Sequence, residues 1–310
     1  EEEPTTLATM TVTAQKREEA MQDVPIAVTA ISEQLLQDTG VRDIKDLQVL
    51  VPGMTVTSTQ SEAITTARIR GIGTVGDNLG LESSVGVVID GVYRSRNSVG
   101  FGDLGELSRI EVLKGPQGTL FGRNTAAGAI SLVTRRPQDE TEARLRLRLG
   151  NYGKQYVDAM WNIPVSDVSA FRVNALFNHS DGWFQDGATG KDLGGENVWA
   201  TRAAWQVGLG ENTTALVSWD HESLDQNGRV TTGIVPLPAY PQRPPVPVDP
   251  DDYFDPRKVP TYSDAENAEW RTFDGVTLIL DHAFSWGNLT STSSWREYDS
   301  LNQTEEDGTN

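Results

Sequence analysis

Several stretches carry residue types that could do chemistry, and each fails on spacing or setting. Gly71-Ile72-Gly73-Thr74-Val75-Gly76 follows an apolar run and has Asp90 downstream, the outline of a dinucleotide-binding turn. Such a turn must open a helix. Asp77-Asn78-Leu79-Gly80-Leu81-Glu82-Ser83-Ser84 has no apolar helical stripe and leaves no room for a crossover helix before the next strand. Gly115-Pro116-Gln117-Gly118-Thr119-Leu120-Phe121-Gly122 is glycine-rich like a phosphate loop, but lacks the Gly-Lys-Ser/Thr ending that puts an amine and a hydroxyl on phosphate and metal. His179, His221 and His282 are scattered near strand ends without ligand spacing. Asp220-His221-Glu222 are consecutive on a strand, so they point alternately to opposite faces and cannot form a relay. The sequence therefore leads to no catalytic residue, no metal site and no cofactor.

Composition narrows the classes further. Asp and Glu number 44 against 26 Lys and Arg, a net charge of -18, which excludes the basic patch that a nucleic-acid partner requires. No cysteine is present, so neither a disulfide nor a thiolate metal site can be invoked. The acidic start Glu1-Glu2-Glu3-Pro4 fits a mature N-terminus left by cleavage of a signal peptide. No run approaches the ~20 apolar residues of a transmembrane helix. If the chain crosses a membrane it does so as a β-barrel, the only other structure that satisfies its backbone in lipid.

The elements that must position any site fall into three stretches of different character. Residues 1–20 are polar and charged and read as a flexible segment with one extended patch, Met10-Thr11-Val12-Thr13-Ala14. Thr and Val favour an extended backbone, and such a patch can add itself as a strand to a partner's sheet edge. Residues 21–137 read as one compact α+β domain. Ser32 caps a short helix that stops at Gly40, and Asp43 is positioned to cap another that ends before Pro52. Strands are expected at Ala67–Arg70, Val85–Ile89, Arg109–Leu113 and Ala129–Thr134, with Asp90-Gly91 turning a hairpin into Val92-Tyr93.

From about residue 142 the pattern becomes strict alternation. Arg144, Arg146 and Arg148 oppose Leu145, Leu147 and Leu149; Phe171, Val173 and Ala175 oppose Arg172 and Asn174; Trp199, Ala203 and Trp205 oppose Ala200, Arg202 and Gln206. A period of two in segments of roughly ten residues is the pattern of a transmembrane β-strand with a lipid face and a lumen face. A soluble β-sandwich also alternates, but three features favour the membrane. Trp161, Trp199 and Trp219 sit toward strand ends, where an interfacial girdle places them. Short connections at Pro164–Asp167, Leu209–Asn212 and Phe284–Asn288 alternate with long ones at 181–196 and 225–268. An arginine-lined face suits a wet or plugged lumen better than a sandwich core. The proline-rich stretch within 225–268 reads as a stiff surface loop.

The most specific stretch is Ser108-Arg109-Ile110-Glu111-Val112-Leu113-Lys114-Gly115-Pro116-Gln117-Gly118-Thr119-Leu120-Phe121-Gly122, continued by Arg123-Asn124-Thr125-Ala126-Ala127-Gly128-Ala129-Ile130. It resembles the plug signature of TonB-dependent outer-membrane receptors. Ile69-Arg70-Gly71 resembles that family's I-R-G motif, Val88–Val92 its strand–DG–strand hairpin, and Thr9–Ala14 the box that recruits TonB.

The resemblance implies an α+β plug domain (21–137) preceded by a periplasmic TonB-binding segment (1–20) and followed by the N-terminal part of a transmembrane antiparallel β-barrel (138–310). The family's barrel has about 22 strands and about seven are readable here, so the remaining barrel is expected in the same or a second polypeptide. The implied function is TonB-driven import of a scarce nutrient such as a ferric siderophore, with no enzymatic chemistry. TonB, outer-membrane lipid and a small-molecule ligand are the implied partners. TonB would bind Thr9, Met10, Thr11, Val12, Thr13 and Ala14. Arg70 and Lys114, partly buried cations, would pair with carboxylates of the barrel wall. Tyr93, Arg94, Arg96 and Phe101 are the ligand-facing candidates. Gly71, Gly115, Gly118, Gly122 and Gly128 are the turn glycines, expected to supply positive φ. Two other readings stand beside this one: an outer-membrane barrel no longer coupled to TonB, and a soluble secreted β-rich binding module.

Overall fold

The structure is a computed structural model, and it describes residues 10–13, 16–17, 19–41, 44–58, 65–74, 82–95, 106–185, 190–227 and 268–303. The chain divides into two compact units, residues 1–135 and 136–310.

In the first unit the strands are β1 (Thr11–Val12), β2 (Glu19–Ala20), β3 (Ala27–Ser32), β4 (Met54–Ser58), β5 (Thr65–Ile69), β6 (Ile72–Gly73), β7 (Val85–Ile89), β8 (Val92–Tyr93), β9 (Leu107–Lys114) and β10 (Gly128–Thr134). Two short helices, α1 (Glu33–Thr39) and α2 (Gly118–Phe121), join them. Helix α1 starts where Ser32 Oγ accepts from the Leu35 amide at 3.3 Å, and it stops at Gly40, which takes the left-handed conformation at φ 70°. The second expected helix is instead a 3-10 turn over Asp46–Val49, with buried Leu47 as its anchor; Asp43, its expected cap, lies outside the described residues.

The central sheet has the order β3-β9-β10-β7-β8, with β7 and β10 parallel and the other pairs antiparallel. Strand β7 is apolar on both faces, as a strand covered on both sides must be, whereas β9 carries Arg109 and Glu111 on one face. Ile31, Val87, Ile110, Ile130 and Leu132 form the core with Leu47, Met54 and Ile69 from the turn and the smaller β4-β5-β6 sheet. Asp90 and Gly91 both have positive φ (49° and 81°), the geometry that a two-residue hairpin with right-handed twist demands. Strands β3 and β4 add to those expected from the sequence; β4, Met54-Thr55-Val56-Thr57-Ser58, has the period of two of a half-covered strand.

The second unit is a meander. Strands β11 (Glu142–Leu149), β12 (Gln155–Ser166), β13 (Ser169–Ser180), β16 (Glu196–Gly208), β17 (Thr213–Gln226), β18 (Ala268–Phe284) and β19 (Gly287–Gln303) pair antiparallel, each with the next. A small hairpin, β14 (Phe184–Gln185) with β15 (Asp192–Leu193), decorates one connection. The sheet is inside-out. Leu145, Leu147, Trp161, Phe171, Val173, Trp205 and Trp219 are exposed, with Trp161 at 57%. Asp158, Asn162, Arg172 and Asn174, on the opposite face, are buried. Register puts each set in rows: Val173 faces Trp161 on one side and Ala203 on the other, and Phe171 stacks on Trp205 at 5.7 Å. No helix among the described residues is long and apolar enough to cross a membrane.

Candidate functional site

The N-terminal patch is docked on its own unit. β1 pairs with β2, Thr11 opposite Ala20 and Val12 opposite Glu19, and the Met21 amide donates to the Met10 carbonyl at 2.9 Å. Val12 is 0% exposed and packs with Val24, Leu113 and Ala129. Thr13 donates to Glu111 Oε1 through its amide (2.8 Å) and its hydroxyl (3.0 Å). Where the composition of residues 1–20 suggested a flexible leader, an apolar socket for one valine and a buried carboxylate hold residues 10–13 in place. Thr9 and Ala14 lie outside the described residues.

Glu111 and Arg109 lie within the glycine-punctuated motif stretch, and they are the polar residues that hold the patch. Glu111 is 0% exposed on a strand whose neighbours Ile110, Val112 and Leu113 are all core residues. Arg109 Nε donates to Glu111 Oε1 at 2.7 Å, and Arg109 Nη2 donates to Thr13 Oγ1 at 3.2 Å. The available signal was an acidic residue inside an apolar run, which folding tolerates only if it is paired.

The two expected locking cations differ. Lys114 is half-buried and its Nζ donates to the Pro52 carbonyl at 3.0 Å. Arg70 is exposed rather than partly buried. It occupies the corner between β5 and β6 at φ 55°, its amide bonded to the Gly53 carbonyl at 2.7 Å, so the turn carries its side chain out of the core.

Of the ligand-facing candidates, Tyr93 is half-buried; its hydroxyl accepts from Asn124 Nδ2 at 2.8 Å, and the Arg123 guanidinium lies 5.9 Å from its ring centre. Arg94 is 4% exposed, its amide bonded to the Val87 carbonyl at 2.8 Å. Arg96 and Phe101 lie outside the described residues.

Among the turn glycines, Gly71, Gly115, Gly122 and Gly128 have positive φ. Gly118 does not: it is the first residue of α2, where a helical φ is required. Gly128 is constrained by space as well, since a Cβ there would collide with the Leu113 carbonyl and the Ile69 side chain. That close approach lets β9 and β10 pair beside β5.

In the second unit the buried face combines a network of charges with two apolar clusters, Tyr156, Leu176, Val198 and Leu224, and Ala204, Leu216 and Ile279. Asp158 accepts from Asn174 Nδ2 at 2.7 Å and pairs with Arg144 and Arg146 at 3.5 and 3.7 Å. Arg172 reaches Glu142 at 3.2 Å and Asn162 at 3.3 Å; Asp220 pairs with Arg202 and Arg296. The third arginine of the β11 stripe, Arg148, lies over the Tyr156 ring. On the exposed face His221 Nδ1 bonds Asp274 at 2.9 Å between the Trp199 and Trp219 rings. Its partner is thus a cross-strand residue, invisible to a reading confined to its sequence neighbours. Among the described residues no group of three or more His, Asp or Glu is arranged to hold a metal ion.

A plug-like sheet with a docked N-terminal patch, followed by an inside-out meander, is a specific combination. Residues 20–129 match the family model described as the TonB-dependent receptor plug domain. Over these residues the chain carries a plug domain of the TonB-dependent receptor type. That family consists of transport receptors, not enzymes.

The iron-regulated outer membrane virulence protein of Vibrio cholerae is 32% identical over 151 residues, covering 45% of this chain and 22% of that protein. The catecholate siderophore receptor Fiu of Escherichia coli is 25% identical over 232 residues, covering 70% of this chain and 27% of that one. In fold, the ferric yersiniabactin uptake receptor FyuA of Yersinia pestis superposes with a TM-score of 0.77 at 19% identity, over 91% of this chain and 42% of that one. The chain thus spans about a quarter of the length of the curated relatives it matches, and its sheet is of the TonB-dependent receptor barrel type.

Proposed function

We propose that this chain is the N-terminal part of an outer-membrane importer that takes up a scarce nutrient, a ferric siderophore or similar small organic ligand, driven by TonB. The observation that carries the reading is the inside-out sheet following a plug: seven strands present apolar and aromatic side chains outward and charge pairs inward. Water does not favour that distribution and a bilayer does. The ligand class is supported by the relatives, one a catecholate siderophore receptor and one an iron-regulated outer membrane protein.

In this reading the short connections are periplasmic, the long ones extracellular, and the N-terminal segment lies in the periplasm. Residues 9–14 are the TonB-binding box, which would add to a sheet edge of TonB. Energy comes from the inner membrane through TonB and the chain itself does no chemistry. Tyr93, Arg96 and Phe101 meet the ligand, while Arg94 is buried. The remaining barrel wall supplies carboxylates to Arg70 and Lys114.

Deletion of residues 9–14 in the intact protein is expected to leave ligand binding to cells unchanged and to abolish energy-dependent accumulation. Normal accumulation by that deletion would refute the coupling role. Arg70→Glu is expected to make the plug more sensitive to protease in the assembled protein; unaltered protease resistance together with unaltered uptake removes the lock.

A further inference from the structure

Strand addition needs a free backbone edge, and in the docked patch one edge is taken by β2 and the other is occupied at Thr13. One edge of β1 is paired with β2, and Met10 is bonded to Met21. On the other side the Thr13 amide, which a partner strand would need, donates to Glu111 Oε1 at 2.8 Å. The Thr13 carbonyl is also occupied, accepting from the Lys16 amide at 2.8 Å. The Val12 side chain, which would give a partner its apolar contact, is buried against Val24, Leu113 and Ala129.

From this arrangement we propose that Glu111 is a positioning residue that latches residues 10–13 onto their own domain and sets how often the segment is free to be taken by a strand-adding partner. The proposal rests on the coupling role given above to the same segment.

The chemistry of the latch favours reversible closure. Hydrogen bonds to a carboxylate are roughly twice as strong as neutral ones, and Glu111 Oε1 takes three: two from Thr13 and one from Arg109. Glu111 Oε2 is buried and has no hydrogen-bond partner among the described residues. In the docked state Oε2 is therefore shielded from bulk solvent, at a cost in desolvation. Undocking admits water to that oxygen, and Arg109, at 2.7 Å, still holds the other. The lost Thr13 contacts and the exposed valine are offset in part by this hydration, so the closed and open states differ by a modest free energy that a partner can overcome.

The test measures release of the segment directly. The chain has no cysteine, so Val12→Cys places a thiol in the socket, and its rate of maleimide labelling in the intact, detergent-extracted protein reports the open fraction; protein lacking that substitution is the blank. Adding Glu111→Gln, which keeps shape and removes charge, is expected to raise the rate about tenfold, the equivalent of replacing charge-assisted bonds by neutral ones. With Val12 native, Glu111→Gln should tighten binding of the periplasmic domain of TonB by the same factor, because a larger share of the molecules is competent.

An unchanged labelling rate overturns the latch. Faster labelling without any change in TonB affinity keeps the latch and overturns the coupling role on which it rests. Ile31→Cys, in the core of the unit, is expected to stay unlabelled and so separates release from unfolding. If Glu111→Gln exposes it, Thr13→Ala decides: it removes only the hydroxyl's two contacts and should speed labelling about threefold with Ile31→Cys silent, whereas no change sinks the proposal.

Discussion

The two units put the same residue types in opposite places. In the first, Ile110, Ile130, Leu132 and Val87 are sealed inside, and Glu111, on the same strand as Ile110, is held by Arg109 and Thr13. In the second, Arg172 at 3% exposure and Asp158 are sealed inside, while Phe171, Val173 and Trp205 face out. The first unit minimises apolar contact with water; in the reading proposed above, the second turns its apolar face to lipid. The difference teaches that exposure is informative when it is systematic: one exposed apolar side chain needs no explanation, whereas rows of them across seven strands do.

The largest expected effect that sharpens this contrast is an arginine on the outward face. Val173 is exposed, so in water Val173→Arg should shift stability by less than about 0.5 kcal/mol, as surface changes do. In a bilayer a charge on the lipid face near the midplane costs about 2–4 kcal/mol. Denaturant unfolding of the intact protein in phospholipid vesicles measures the difference, and a negligible change would break the comparison by making the second unit an ordinary water-facing sheet. A smaller effect probes the first unit. Ser32→Ala removes the side-chain acceptor of the Leu35 amide at the start of α1 and should cost about 1 kcal/mol. The loss should appear as earlier unfolding of the plug alone, with the barrel transition unmoved; a joint shift of both would mean that the two units do not melt separately.

Much of this was legible in the chain because it depends on short-range rules. A period of two is a property of the backbone, so Leu145, Leu147 and Leu149 opposite Arg144, Arg146 and Arg148 determine which sides of β11 differ without any knowledge of neighbours. Asp90-Gly91 specifies its hairpin because few residue pairs accept two positive φ angles, and Ser32 with Gly40 brackets α1 by capping geometry alone.

Tertiary structure decided what local chemistry leaves open. Nothing in Thr11-Val12-Thr13 says that it docks: its socket is made by Val24, Leu113 and Ala129, up to 117 positions away along a chain that must first fold. Glu111 gains its role only when Thr13 arrives from 98 residues upstream. His221 finds Asp274 across a strand pair rather than its neighbours Asp220 and Glu222, because adjacent residues of a strand point apart and register sets the partner. Gly118 opens a helix instead of a left-handed turn, and Arg70 points out of the core, for the same reason: composition states which conformations a residue tolerates, and only the packed fold selects one of them.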